Sequence, residues 1–288
     1  MKNNSFIYSF KASGVERKQI ASVIAEALSA EVKYQGPPTF AYRTAGWTIE
    51  RSGVVTSPEI GDNEILRTVL GALKTVETNA EGNGTVILSL QGSNGNALRN
   101  IANLIWYKQK LIQKALGRES DIVPEGLIDA INSVPIDTLE EFAEVVNTAI
   151  DVGKIEGNSE LEFDTVDKTL SFSFSNASLD ANEVFAFITL CQLINEQGKK
   201  QRFSSTKQRE VVNDKYSFRC FLLKLGFIGD AYKTERKILL ARLTGDGAYR
   251  TGEARKAAEE KRKVLQATTN ENLELETEDV ERAINDRY

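Results

Sequence analysis

Apolar residues in this chain follow two spacings, and the order in which those spacings alternate constrains the fold more than any other feature. Ser5 to Lys11 alternates residue by residue, the signature of a strand with one buried face. Ala21, Ile24, Ala25 and Leu28 then recur at helical spacing, after Ser13-Gly-Val-Glu16, which matches a capping box. Val32 to Gln35 returns to the strand pattern and is broken by Gly36-Pro37-Pro38. Thr39 to Arg43 and Trp47 to Arg51 form a predicted hairpin, and Ser52-Gly53 the next turn. Asn63 to Thr78 is helical, with Ile65, Val69, Leu70, Leu73 and Val76 on one side. These patterns predict a small β-α-β-β-β-α domain over residues 1–78, followed by a linker from Asn79 to Gly84.

The remainder predicts a second, mainly helical α+β domain over residues 85–265. A strand, Thr85 to Leu90, precedes a long helix from Asn96 to Leu116 that Gly117 closes. Pro124 to Ile131 is helical, and Thr138-Leu-Glu-Glu141 caps a helix reaching Ile150. Leu161 to Phe163 and Leu170 to Phe174 flank Thr165-Val-Asp-Lys168 as a hairpin. Asp180 caps a buried helix that Gly198 is expected to end. Gln201 to Asp214 reads as a polar loop, and Lys215 to Leu225 and Tyr232 to Leu243 as paired helices about the turn Gly226-Phe-Ile-Gly229. Thr244 to Tyr249 is a loop, and Glu253 to Leu265 the last helix. Residues 266–288 form an acidic tail, expected to be frayed or packed by charge against the basic helices. The fold class is α+β.

Composition removes whole classes of chemistry. The chain has no histidine, which excludes a Ser-His-Asp triad, a Cys-His pair, an HExxH zinc site and a histidine base. Two cysteines, Cys191 and Cys220, cannot build a four-thiolate zinc site, and each sits within an apolar helical pattern as a core thiol. There is no Walker loop and no GxGxxG after a strand, and the glycines from Gly82 onward flank a strand. No catalytic residue, metal ligand or cofactor is therefore assigned. Mg²⁺ on carboxylates stays open: Asp230, Glu235 and Asp246 lie among cations, where local salt bridges are the simpler account. The N-terminus lacks the long apolar core of a signal peptide, and no apolar run is long enough to cross a bilayer, so a soluble protein of the bacterial cytoplasm is expected.

Charge supplies the one pointer to a ligand. Lys199 to Lys256 holds 15 Lys/Arg against 6 Asp/Glu, a local +9 in a chain of net −5, which leaves −14 on the rest. A basic segment on an acidic protein favours an anionic partner, although a solvated helical pair that balances the acidic remainder has the same pattern. Arg202, Lys207, Arg209, Lys215, Lys233, Arg236, Lys237 and Arg250 are the candidate anion contacts, with Tyr216, Tyr232 and Tyr249 as stacking faces beside them.

Several stretches resemble a known family. GVERKQIASVIAEAL, VKYQGPPTFAY, GWTIERSGVV, ALRNIANLIWYKQKLIQKALG and DKYSFRCFLLKLGFIGDAYKTERKILLARLTGDGAYRTG are similar to the "virulence-related" proteins of prophages and mobile elements in Gram-positive gut bacteria. The likeness runs from Gly14 to Gly252; residues 117–157 look longer than the family pattern, and the acidic tail lies outside it. The resemblance implies a genetic setting, an accessory gene of a phage or mobile element, and no particular chemistry. Together with the basic segment it gives the leading expectation: a non-enzymatic protein that antagonises host defence by binding a phosphorylated, nucleotide-like ligand or a defence protein. Two alternatives stand beside it. One is a nucleic-acid-binding accessory in element replication or transfer, which the net acidity disfavours; the other is a DNA mimic that uses the acidic remainder to inhibit a nuclease. The oligomeric state is left open.

Overall fold

The computed structural model describes residues 4–12, 14–76, 81–155, 160–177, 179–208, 210–264, 266 and 268. It is an α+β fold built on an antiparallel sheet of eight strands. The strands are β1 (Ser5–Lys11), β2 (Lys33–Tyr34), β3 (Tyr42–Thr44), β4 (Trp47–Ile49), β5 (Val54–Thr56), β6 (Glu81–Ser89), β7 (Leu161–Asp164) and β8 (Thr169–Ala177). Their order is β2-β3-β4-β5-β1-β6-β8-β7. The helices are α1 (Arg17–Ala27), α2 (Asn63–Lys74), α3 (Gly95–Leu116), α4 (Glu125–Ser133), α5 (Leu139–Asp151), α6 (Ala181–Lys200), α7 (Asp214–Leu225) and α8 (Lys233–Ala241). A further helix, α9, covers residues 252–264.

Alternation decides which face of the sheet is buried. Phe6, Tyr8 and Phe10 of β1 align with Val86, Gly84 and Gly82 of β6 and are covered, as are Trp47 and Ile49 of β4. Phe174 of β8 meets Phe187 of α6, and Phe163 of β7 meets Phe142 of α5, so helices pack on this face. The rows Ser9–Thr56–Thr48 and Ile7–Thr85–Ser173 form the opposite, partly exposed face. One apolar and one polar face is the usual arrangement for an antiparallel sheet.

The capping box at Thr138 and Glu141 forms as the sequence predicts, and Gly117 ends α3 in the left-handed region at φ 67°. Four expectations are corrected. The anticipated linker does not separate two domains: Glu81–Gly84 belongs to β6, which pairs with β1 from Glu81 to Ile87. Glycine stands at position 84 because a Cβ there would lie 2.2 Å from the Phe174 ring and 2.9 Å from Phe6. Ring packing, not chain flexibility, accounts for it; Asn79 falls outside the described residues. Val54–Thr56, read as following a turn, is a strand between β4 and β1. Gly198 does not end α6, which runs on to Lys200; a Cβ at 198 would meet Ile101 of α3 at 2.3 Å, so this glycine permits close helix approach. Finally, α1 starts at Arg17 with Glu16 as N-cap and no side-chain cap bond, while Ser13 lies outside the described residues.

The chain divides instead into two compact units. One comprises Met1–Arg209 with Phe221–Leu243, and the other Glu210–Cys220 with Thr244–Tyr288. The acidic tail from residue 269 onward lies outside the described residues.

Candidate binding site

The expected anion contacts are split between the two units. In the first, Arg202 and Lys207 are exposed on segment 201–208, which α3 fixes through its side chains. Asn96, Asn100 and Asn103 donate Nδ2 hydrogen bonds to the carbonyls of Arg202 (3.1 Å), Gln201 (2.7 Å) and Ser204 (3.2 Å). Gln208 donates to the carbonyl of Trp106 at 3.0 Å. Positions 96, 100 and 103 share one helix face, so this loop lies along α3 by design of that face. Arg209 lies outside the described residues.

Tyr232, Lys233, Arg236 and Lys237 gather at α8 of the same unit, but they do different work. Lys233 and Lys237 are exposed. Arg236 Nη1 donates to the carbonyls of Phe227 (2.9 Å) and Gly229 (2.8 Å), and so closes the turn between α7 and α8. Tyr232 sets its ring edge-on to Phe227, with centroids 5.5 Å apart. Arg236 and Tyr232 are therefore parts of the turn, a correction to their expected role as a free anion contact and a stacking face.

Lys215, Tyr216, Tyr249 and Arg250 belong to the second unit, where Asn213 organises them. Its Oδ1 accepts from Tyr216 N (3.0 Å), and its Nδ2 donates to the carbonyls of Asp246 (2.9 Å) and Tyr249 (2.8 Å). Lys215 N donates to Thr244 O at 3.0 Å. Gly245, at φ +101°, would bring a Cβ within 2.3 Å of Asn213 Oδ1, so only glycine fits beneath the clamp. Asp246 pairs with Arg255 at 3.6 Å, a local salt bridge.

A residue that sequence reasoning passed over, Arg118, lines a further candidate site. Arg118 follows the αL residue Gly117, and its N–H donates to Gln113 O (2.8 Å) while Gly117 N donates to Lys114 O (3.2 Å). This Schellman closure fixes where Arg118 leaves the helix. Its side chain is only 5% exposed. Nη2 pairs with Glu160 Oε1, and Nη1 donates to Ser173 O at 3.3 Å. Glu160, 17% exposed, also accepts from Ser120 Oγ at 2.8 Å. Nε of Arg118 is buried and has no hydrogen-bond partner among the described residues. Burial pulls the guanidinium below its ordinary pKa range, and the Glu160 carboxylate pushes it back. Burial also raises the neighbouring Cys191 thiol well above its usual range, against the pull of Arg118.

Arg118 lines a cleft of about 140 Å³ with Phe174 and Ser175 of β8, Val184 and Phe187 of α6, and Ile238, Leu239, Ala241 and Arg242 at α8. Arg242 is exposed and reaches the end of α3, its Nη1 lying 3.0 Å from where a Cβ on Gly117 would stand. The C-terminal end of a helix favours a cation there. α8 reaches the cleft through Ile238, Leu239, Ala241 and Arg242, while its exposed Lys233 and Lys237 do not line it. Glu183 is the acid at the rim. The site thus offers apolar walls, one enclosed arginine and one exposed arginine, with Glu183 as the acid beside them. The available signal in the sequence was a cation placed immediately after a helix-ending glycine.

Among the described residues, no group of three or more His, Cys, Asp and Glu is arranged to hold a metal ion, and no helix is long and apolar enough to cross a membrane. No protein-family model matches the chain, and no curated protein matches it significantly.

Proposed function

We propose that this chain is a non-enzymatic accessory protein of a phage or mobile element that antagonises host defence by gripping a negatively charged partner at the cleft beside α8. The observation that carries the reading is Arg118: a guanidinium 5% exposed, with Nε unpartnered among the described residues, lining the same cleft as Arg242. The basic segment anticipated from the sequence contributes Arg242 to this place. Binding without turnover accords with a chain that has no histidine to act as a general base.

The test is calorimetric titration of the purified chain with anions of increasing size: pyrophosphate, ADP-ribose, a cyclic dinucleotide, short DNA and RNA, and acidic peptides. Saturable binding that Arg242→Glu weakens supports the reading. A steep loss with salt, confined to oligonucleotides and indifferent to Arg242, favours the nucleic-acid alternative instead.

A further inference from the structure

A second cavity opens at the other end of the sheet, where β2, β3 and β4 meet the chain that follows α1. Its volume is about 470 Å³, within the roughly 300–1,000 Å³ of small-molecule sites, and it shares no lining residue with the cleft beside α8. Strand alternation and register build it. Trp47 and Ile49 are buried, so Thr48 between them faces the opposite, open side of the sheet. The two-residue turn Ala45-Gly46, with φ 46° and 86°, sets the pairing of β3 with β4 and places Arg43 opposite Thr48. On its other side Arg43 is opposite Lys33 of β2. Lys33, Arg43 and Thr48 therefore stand in one row across three strands, about 10 Å from end to end, and all three line the cavity.

Two cations directly opposite each other destabilise a sheet. In a chain of net −5, an acid opposite Arg43 would guard the edge strand equally well and attract its neighbour. Both cations are exposed, and neither has a hydrogen-bond or ion-pair partner among the described residues. Glu31 is exposed at the mouth of the cavity and pairs with neither. An anion seated between Lys33 and Arg43 meets an ammonium, a planar guanidinium fork and the Thr48 hydroxyl together, and turns the repulsion into attraction. Farther along the same row stand the neutral Thr56, Ser9 and Asn83, so the charge suits one compact anion and not a polyanion lying across the sheet. Among the described residues no aromatic side chain lines the cavity, and Ala45 and Gly46 form part of its wall. A stacked base has no face to lie on there, whereas a polar, hydroxylated body has room.

We propose that the row Lys33–Arg43–Thr48 binds a small phosphomonoester of the sugar-phosphate class, with the phosphate between the two cations and the hydroxylated body in the rest of the cavity. This site stands independently of the cleft beside α8. A phosphomonoester loses its second negative charge as pH falls below about 6, so binding weakens through that range.

The experiment is calorimetric titration and thermal melting of the full chain with ribose 5-phosphate, ribose and AMP. Ribose 5-phosphate should bind saturably and raise the melting temperature, and ribose should do neither. Lys33→Glu should weaken binding about tenfold or more, yet leave the melting temperature of the unliganded chain equal or higher, because it replaces a repulsive pair with an attractive one. Arg43→Gln should weaken binding by a similar factor, Glu31→Gln should tighten it, and Arg242→Glu should leave it unchanged. Ribose 5-phosphate that does not bind, or that binds the unaltered chain, Lys33→Glu and Arg43→Gln alike, overturns the proposal. AMP binding about tenfold or more tighter than ribose 5-phosphate overturns the choice of a sugar phosphate. Binding lost in Arg242→Glu alone overturns this site and supports the cleft beside α8 instead.

Discussion

Two regions of the first unit place an arginine against main-chain carbonyls, and they differ in what the guanidinium has left to give. At the α7–α8 turn, Arg236 donates to Phe227 O and Gly229 O from a half-buried position. At the end of α3, Arg118 is nearly enclosed, holds Glu160 and Ser173 O, and has no partner for Nε among the described residues. The first is a fastener for a loop. The second is a fastener whose remaining donor is closed off in a low-dielectric setting, where leaving it unmet is costly. Charge density along the chain singles out Arg236; burial and hydrogen-bond accounting single out Arg118.

The contrast is breakable by mutation. Glu160→Ala should have the largest effect, about 3–5 kcal/mol of lost stability by denaturant unfolding, because it leaves Arg118 buried without its counter-charge. Arg236→Ala should cost about 1.5–3 kcal/mol through the turn and leave binding at the cleft unchanged once refolding is verified. Gly117→Ala forces an alanine into φ 67° and should cost about 1–2 kcal/mol, while also shifting Arg118 and weakening binding. The smallest effect belongs to an exposed ion pair, Lys74 with Asp180 at 2.9 Å. The Lys74 hydrogen bond holds the Asp180 carboxyl below the usual aspartate range. Its stabilisation is therefore present above the unfolded-state value and lost as pH falls through the lowered one, and Asp180→Asn should reduce that acid-side loss by under about 1 kcal/mol.

Much of the fold was legible because periodicity and caps are local signals. The capping box at Thr138–Glu141, the end of α3 at Gly117 and the alternation in β1 all followed from a few neighbouring residues. What failed depended on distant partners. Gly84 and Gly198 read as flexibility or a helix stop, yet each makes room for a group remote in sequence, Phe174 and Ile101 respectively. The site was harder still. Lys233 and Lys237 were visible as charges on an outer helix face, whereas Arg118 and Glu160 lie 42 positions apart and meet only when β7 and β8 reach the end of α3. Local charge counting has no access to that pairing, nor to the carbonyls that already occupy Arg236.

The cleft, and not the basic segment as a whole, is the central claim. The direct measurement compares one reversal in each unit: Arg242→Glu beside the cleft and Lys215→Glu in the second unit, each tested for affinity toward pyrophosphate and ADP-ribose. The account predicts about tenfold or greater weakening for Arg242→Glu and no change for Lys215→Glu. Loss of affinity in Lys215→Glu with Arg242→Glu unaffected would contradict it.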